Sequence, residues 1–251
     1  MAVDGVLKLA ASLPIAHAWP PVLATRAPGA KSATHAHHAM HVLIAVEGSL
    51  RYRADGAWIE AAGVVTPPDV AHEIDAHGRE VLLVFVDPES RVGIALEAAV
   101  GDRPRALDAS ERDAIGLPEP MTLMQRGAEP WLANVVRVLG AETAKPPRRM
   151  HPRIRKALAL IGASPETPSL EAIAREVGLS PSRFMHAFTE SLGIPLRPYI
   201  AWLRLQRASI EIVSGTPLSV AAARAGYADA AHMTRSFRAM LGMTPSMLRS
   251  A

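Results

Sequence analysis

The second half of the chain contains one pattern of residues twice, and this repeat restricts the fold more than any other feature of the sequence. In each copy, two bulky apolar residues four positions apart are followed by a Leu-Gly pair and a proline. These residues are Phe184, Phe188, Leu192, Gly193 and Pro195 in the first copy, and Met233, Phe237, Leu241, Gly242 and Pro245 in the second. Residues 174–179 correspond in the same way to residues 222–227. A duplication of this length indicates two copies of one structural unit.

The first copy has the signals of two short helices separated by a tight turn. Ser169 is placed to cap the first helix, and Gly178 supplies the left-handed residue that ends it. Ser180 then caps a second helix that has Pro181 at its first position, where proline is favoured. Two helices joined by a glycine turn are typical of a helix-turn-helix, which we predict at about 169–192.

The second copy predicts another helix-turn-helix at about 219–241. Ser219 is expected to open a helix that stops at Gly226, and Asp229 is expected to cap the next one. A long helix from about residue 198 to residue 214 joins the copies. Such a rigid helix can place the two exposed helices about 34 Å apart, in adjacent major grooves on one face of a DNA duplex.

Charge is divided unevenly between the two halves. Residues 1–145 carry 13 Lys and Arg against 18 Asp and Glu, whereas residues 146–251 carry 14 against 6. The net charge is therefore −5 for the first part and +8 for the second. A basic half that also contains the repeat favours a polyanionic partner. The alternative is a helical bundle with a solvated, Arg-rich surface.

A set of short motifs in the second half identifies a family resemblance. The motifs are residues 179–184, Phe188, residues 192–195, 199–200 and 203–208 in the first copy, and residues 225–229, 237–238 and 241–245 in the second. They resemble the DNA-binding domain of the AraC/XylS transcription regulators, over residues 151–251. By this resemblance, the residues placed to contact bases are Ser182, Met185, His186, Ala231, His232 and Arg235.

Three further arginines, Arg183, Arg204 and Arg238, are assigned to phosphates, which position a protein on DNA without specifying sequence. In the second copy, Ala222 and Ala231 stand where bulkier residues are common in the family. Arg235 is therefore the strongest candidate there for a base contact, because arginine can bind guanine O6 and N7 together.

The first half has the pattern of short strands separated by turns, which predicts a β-barrel over residues 1–93. The clearest strands are residues 42–46, 50–53 and 81–86. Residues 6–18 are expected to form a first strand rather than a signal peptide, because Asp4 and Lys8 do not fit the pattern of a signal.

Between residues 94 and 144 the pattern becomes helical. An apolar stripe at Trp131, Val135, Val138 and Leu139 suits a partner subunit. Residues 145–150, which contain two prolines, are expected to form a linker. The expected fold class is therefore α+β with two domains: a β-barrel followed by helices, then an all-α tandem helix-turn-helix domain.

Six of the ten histidines lie between residues 35 and 77. Their spacing resembles the two motifs of the cupin family, over about residues 20–90. Gly29, His35, His37, His41 and Gly48 fit the first motif, with His41 where Glu is usual, and Gly63, Pro67 and His72 fit the second, with Asp69 replacing a Gly. The resemblance implies a cupin-like barrel with four histidines at one site. A straight strand would put His41 about 13 Å from His37, so the chain must bend between them.

Four neutral imidazoles suit Zn, Ni, Cu, Co or Fe as the bound ion, rather than Mg or Ca. The chain has no Cys, which excludes thiolate ligands. Two alternatives stay open. In one, the barrel binds an organic effector without a metal; in the other, it is a metal-dependent cupin enzyme, for which Glu47, Asp69 and Glu73 are the nearest acids or bases.

Together these patterns predict a cytoplasmic transcription regulator that is not an enzyme. Its expected partners are double-stranded DNA, a metal or small-molecule effector, a second copy of the chain in a homodimer, and RNA polymerase. No stretch reaches the roughly 20 apolar residues of a membrane span, so no membrane is expected. An effector that binds one arrangement of the dimer more tightly would shift the population toward it.

Overall fold

The computed structural model describes residues 22–140, 150–163 and 168–249. They fall into two compact units, a β-rich unit that includes residues 22–140 and a helical unit that includes residues 150–163, 168–238 and 243–249. The strand expected at residues 6–18, and residues 145–149 of the expected linker, lie outside the described residues.

The β-rich unit contains two antiparallel sheets. The strands are β1 (Val22–Pro28), β2 (Met40–Ala45), β3 (Leu50–Arg53), β4 (Ile59–Ala61), β5 (Gly63–Thr66), β6 (Glu73–Asp75), β7 (Glu80–Val86) and β8 (Arg105–Leu107). One sheet has the order β1-β7-β2-β5-β8, and the other has the order β4-β3-β6. Strand β2 is central in the larger sheet, where His41 pairs with Phe85 on one side and Thr66 on the other.

Strand β2 is buried along its whole length. Val42 and Ile44 join the core that the larger sheet shares with the helices of this unit. Leu43 packs on the other face, in a second core that includes Leu50 and Tyr52 of the smaller sheet. A strand covered on both faces needs a continuous apolar run, and this explains why residues 42–46 stand out in the sequence.

Four helices follow the sheets: α1 (Arg91–Val100), α2 (Ala109–Ile115), α3 (Pro120–Arg126) and α4 (Glu129–Val138). One expectation for this segment is corrected. Strand β8 interrupts the helices and pairs with β5, so the larger sheet extends beyond residue 93. In the apolar stripe of α4, Val135 is fully buried in the unit's own core, whereas Trp131, Val138 and Leu139 pack against that core and stay partly exposed. Their contact with a partner subunit stays a prediction.

Over residues 150–163 and 168–249, the helical unit contains six α-helices and a final 3-10 helix. They are α5 (Pro152–Ala163), α6 (Leu170–Glu176), α7 (Pro181–Leu192), α8 (Leu196–Val213), α9 (Leu218–Arg224), α10 (Ala230–Leu241) and the 3-10 helix Pro245–Arg249. Helices α6 and α7 form the first helix-turn-helix, and α9 and α10 form the second. None of the helices over the described residues is long and apolar enough to cross a membrane.

The repeat is longer in the structure than in the sequence pattern, because α5 and α8 also correspond. Three fully buried positions of α5 recur 51 residues later in α8. The pairs are Ile154 with Leu205, Ala157 with Ala208, and Ile161 with Ile212. Helix α8 is therefore both the connector and the first helix of a second three-helix unit.

Hydrogen bonds at the helix starts test the expected caps. Ser169 and Ser180 accept backbone N–H groups as expected, and Asp229 accepts the N–H of His232 at 2.6 Å. The expected cap at Ser219 is wrong. Helix α9 starts directly after Pro217, without a side-chain cap, and Ser219 lies inside its first turn.

Candidate metal centre and nucleic-acid interface

The structure brings the four predicted histidines together in the β-rich unit. His35 and His72 lie opposite each other and exchange two backbone hydrogen bonds of 3.0 and 2.9 Å. Their ring centroids are 4.4 Å apart, and His37 lies 5.4 Å from His35 and 5.1 Å from His72. The ring centroid of His41 lies 5.2 Å from that of His37 and 4.9 Å from that of His72. The chain bends between His37 and β2, which removes the separation that a straight strand would impose.

Three of these histidines have their ring orientation fixed by the backbone. The Nδ1 atoms of His35, His37 and His72 lie 2.9, 2.7 and 2.7 Å from the carbonyl oxygens of Ala33, Ala39 and Val70. Because a carbonyl can only accept, Nδ1 carries the proton in each ring. The Nε2 atom then keeps its lone pair, as in a histidine ready to bind a metal ion.

The Nε2 atoms of His37, His41 and His72 are buried and have no hydrogen-bond partner among the residues that the structure describes. A buried polar atom without a partner costs about 1 to 3 kcal/mol, so three in one cluster are unusual. One ligand atom each from His35, His37 and His72 can be chosen so that all three lie within 4.8 Å of one another. The donor set therefore fits a metal ion, with His35, His37 and His72 closest together and His41 beside them.

Burial also keeps these imidazoles uncharged. It lowers the pKa of His37 to about 4, with a smaller contribution from nearby His72. Burial likewise lowers the pKa of His72 to about 4 and that of His41 well below its usual value. All three are therefore neutral at pH 7, which is the form that binds a metal.

Sequence reasoning missed the groups that hold the cluster in place. The Phe85 ring packs 5.6 Å from His37 and 6.0 Å from His41. Beside His72, the carboxylate of Glu73 accepts hydrogen bonds from Arg53 at 2.8 Å and from Thr34 at 2.5 Å. These bonds lower the pKa of Glu73, first through Arg53. The sequence contained a weak signal for this hydrogen bond, since Thr34 is next to His35 and Glu73 is next to His72.

The backbone explains the substitution in the second motif. Asp69, which stands where that motif has Gly, adopts a left-handed conformation with φ of 60°. Its N–H donates to the carbonyl of His37 at 2.9 Å. Asp is among the few residues that tolerate this conformation, so the turn beside the histidines keeps its shape without glycine.

In the helical unit, most of the predicted DNA-contacting residues lie on exposed faces. Ser182, Arg183, Met185 and His186 are exposed on α7, and Ala231, Arg235 and Arg238 are exposed on α10. The opposite faces are buried through Phe184, Phe188, Met233 and Phe237. The first helices end at Gly178 and Gly226, with φ of 67° and 82°.

Two predicted contacts are less accessible. His232 is half-buried, with its ring 5.3 Å from that of Tyr227. Arg204 lies on α8, and its Nε is buried and has no hydrogen-bond partner in the described part of the chain. A Cβ atom added at Gly226 would lie 3.4 Å from this Nε, which would be its nearest neighbour. Arg204 therefore packs against the turn of the second helix-turn-helix, and its assignment to a phosphate stays a prediction.

Comparison with known families decides what the helical unit is. Residues 173–251 match a family model described as a helix-turn-helix domain, of the AraC type. The helical unit carries an AraC-type helix-turn-helix domain. This AraC-type domain and the expected two-part fold class are confirmed, and the domain is characteristic of DNA-binding transcription regulators.

Several solved structures are similar to parts of the chain or to most of it. The C-terminal domain of AraT, a response regulator from Geobacillus stearothermophilus, shares 23% identity over 41% of this chain and 88% of that one, with a TM-score of 0.38. ToxT from Vibrio cholerae shares 10% sequence identity, and the match covers 92% of this chain and 97% of ToxT, with a TM-score of 0.47. A Cupin 2 conserved barrel domain protein from Salinispora arenicola shares 26% sequence identity, and the match covers 28% of this chain and 71% of that one, with a TM-score of 0.23.

Proposed function

We propose that the chain is a sequence-specific transcription regulator whose β-rich unit binds a transition-metal ion and responds to it. The AraC-type domain supplies the DNA-binding part. His35, His37, His41 and His72 would hold the ion, and Zn, Ni, Co, Cu and Fe are the candidates. The regulator would act in the cytoplasm as a homodimer, with RNA polymerase as a further partner.

The observation that carries the metal proposal is the set of three buried Nε2 atoms without partners. A metal ion supplies the electron-pair acceptor that each of these nitrogens lacks. The backbone carbonyls that hold Nδ1 give the rings their orientation before the ion arrives. An organic effector would have to offer several hydrogen-bond donors at one point to satisfy the same atoms.

Glu73 supports a regulator over an enzyme. The sequence offers it as an acid or base, but its carboxylate is already bound to Arg53 and Thr34, and its pKa is lowered. A general base at this place would need to be released from both partners before it could accept a proton.

Metal analysis of the purified full-length protein tests the proposal. After dialysis against Zn, Ni, Co, Cu or Fe salts, the wild type should retain about one ion per chain for at least one metal. His37→Ala should lose it. His38→Ala is the matched control, because His38 is exposed and pairs with Asp69 outside the cluster, and this variant should keep the ion.

The same ion should stabilise the fold. At a concentration about 100 times its Kd, a ligand that binds only the folded state adds about 2.7 kcal/mol. Wild type and His38→Ala should therefore melt at a higher temperature with metal, and His37→Ala should not. Equal metal content in wild type and His37→Ala would remove the metal proposal and leave the metal-free effector.

DNA binding is tested with duplexes selected from a random pool. Affinity should fall steeply as salt rises, because phosphate contacts release counterions. Arg235→Ala should cost about 1 to 3 kcal/mol and relax the preference at one base pair. The matched control is Arg238→Ala, which should weaken binding on all sequences and lower the salt slope by about one. Equal weakening of all sequences by Arg235→Ala would refute its base contact.

A further inference from the structure

The exposed face of the first recognition helix contains an apolar side chain that the core does not explain. Met185 of α7 is 45% exposed, and it is one of four exposed large apolar residues in the described part of the chain. The buried face of α7 is already filled by Phe184, Phe188 and Leu192, each at most 1% exposed. Met185 is therefore not a core residue displaced to the surface.

The residues that share the face of Met185 on α7 are polar and include no Lys, Arg, Asp or Glu. With 3.6 residues per turn, Ser182, His186 and Thr189 share its face at helical spacing. All three are exposed. Arg183 lies to the side of this face, which suits a phosphate rather than a base edge. The centre of the face is thus a flexible thioether with hydroxyl and imidazole groups around it.

The equivalent face of the second recognition helix has a different chemistry. At the repeat spacing of 49 residues, Met185 corresponds to Thr234 and His186 corresponds to Arg235. The Thr234 hydroxyl donates to the carbonyl of Ala230 at 2.7 Å, within its own helix. The second helix therefore has a threonine, already bonded within its own helix, at the position of the methionine, and a guanidinium at the position of the histidine.

We propose that Met185 is a specificity-determining residue of the first helix-turn-helix and recognises the C5-methyl group of a thymine in the major groove. This inference rests on the proposed DNA-binding function. The thymine methyl is the apolar group that the major-groove edges of the four base pairs offer, so an apolar side chain there can distinguish thymine. A methionine suits it because its thioether chain adapts to irregular surfaces.

The test replaces single thymines by uracil, which pairs identically but lacks the methyl group. Full-length protein first selects a duplex from a random pool, and each dT of that duplex is then changed to dU. Wild type should bind about fourfold more weakly at one or two positions, since one buried methyl is worth about 0.8 kcal/mol. Met185→Ala should bind the dT and dU duplexes equally at those positions, and Met185→Leu should keep most of the difference.

The control is Val220→Ala, which removes another exposed apolar side chain from α9, the first helix of the second helix-turn-helix. It should leave the discrimination between dT and dU unchanged. The inference is overturned if wild type ignores every dU substitution, or if Met185→Ala keeps the discrimination. A protein that selects no duplex from the pool overturns the DNA-binding function, and this inference with it.

Discussion

The two helix-turn-helix units have the same interior and different ends. Phe188 and Phe237 occupy equivalent positions and are both fully buried. The turn glycines Gly178 and Gly226 both have positive φ, and each lies near an arginine of the preceding long helix. The same buried stripe therefore builds both units, and their differences lie at the surface.

In the first unit, two cations of α5 donate hydrogen bonds to carbonyls at the end of α6. Arg153 donates to the carbonyl of Gly178 at 2.7 Å, and Lys156 donates to that of Glu176 at 2.8 Å. Arg204 occupies the position of Arg153 in the second unit, but its buried Nε has no hydrogen-bond partner among the described residues. Cations at the end of a helix stabilise its free carbonyls. Two copies of one fold can thus differ in stability while keeping the same core.

The largest test of this comparison removes a core aromatic ring from each unit. Phe188→Ala and Phe237→Ala should each cost about 3 to 5 kcal/mol. Phe188 should cost about 1 kcal/mol more, because its ring also contacts Phe184 at 5.7 Å and Tyr199 at 5.3 Å. Denaturant unfolding of the full-length protein, followed by helix content, measures both. Phe188→Leu, which keeps most of the volume, isolates the ring contacts, and equal costs at the two sites would contradict the ranking.

How far the sequence predicts these units depends on whether a signal is local. Helical spacing, a turn glycine and a capping side chain act within a few residues, so both motifs could be placed from the pattern. The predicted cap at Ser219 was wrong because Pro217, two residues earlier, already has the backbone angles of a residue that precedes a helix. The correspondence of α5 with α8 was missed because it is carried by burial, and pairs such as Ala157 and Ala208 are too common to stand out.

In the β-rich unit, prediction failed where pairing is distant in sequence. Strand β8 has three residues and no clear alternation, and its partner β5 lies about 40 residues earlier, so its existence depends on the assembled sheet. The histidine cluster could be predicted from spacing, whereas the carbonyls that fix its rings and the Phe85 contact depend on the folded backbone.

A second test replaces the two turn glycines. Gly178→Ala and Gly226→Ala should each cost about 1 to 2 kcal/mol, since both residues adopt positive φ. The two costs should be similar, because the new Cβ would lie at ordinary contact distance in both units, 3.4 Å from the Arg204 Nε and 4.0 Å from the Arg153 Nη1. Melting temperatures compare the two variants. A larger loss at Gly226 that disappears when Arg204→Ala is added would contradict this and identify Arg204 as a steric obstacle.

The third test compares the two serines near the helix starts. Ser169→Ala should cost about 1 kcal/mol, because the side chain accepts the N–H of Ala172 at 3.2 Å. Ser219→Ala should change the free energy of unfolding by no more than a few tenths of a kcal/mol, because this residue is not a cap. The two variants make the same chemical change, so they are matched controls in one unfolding experiment. Equal costs would mean that α9 starts at Ser219 after all.

The smallest change in the free energy of unfolding should come from replacing a cation of α5 that binds the carbonyls at the end of α6. Lys156→Ala should cost about 0.5 kcal/mol, through loss of the hydrogen bond to the carbonyl of Glu176 at the end of α6. Arg155→Ala is the matched control, because Arg155 is an exposed cation on the same helix and its side chain, unlike its backbone N–H, which donates to the carbonyl of His151, has no hydrogen bond or ion pair among the described residues. Salt separates the two explanations of any difference, since screening weakens an exposed charge interaction and leaves helix propensity unchanged. The cost of Lys156→Ala should therefore shrink toward that of Arg155→Ala as salt is raised. A cost that stays constant with salt would mean that the lysine acts through packing of its alkyl chain, and that the ends of the two units do not differ in electrostatics at this position.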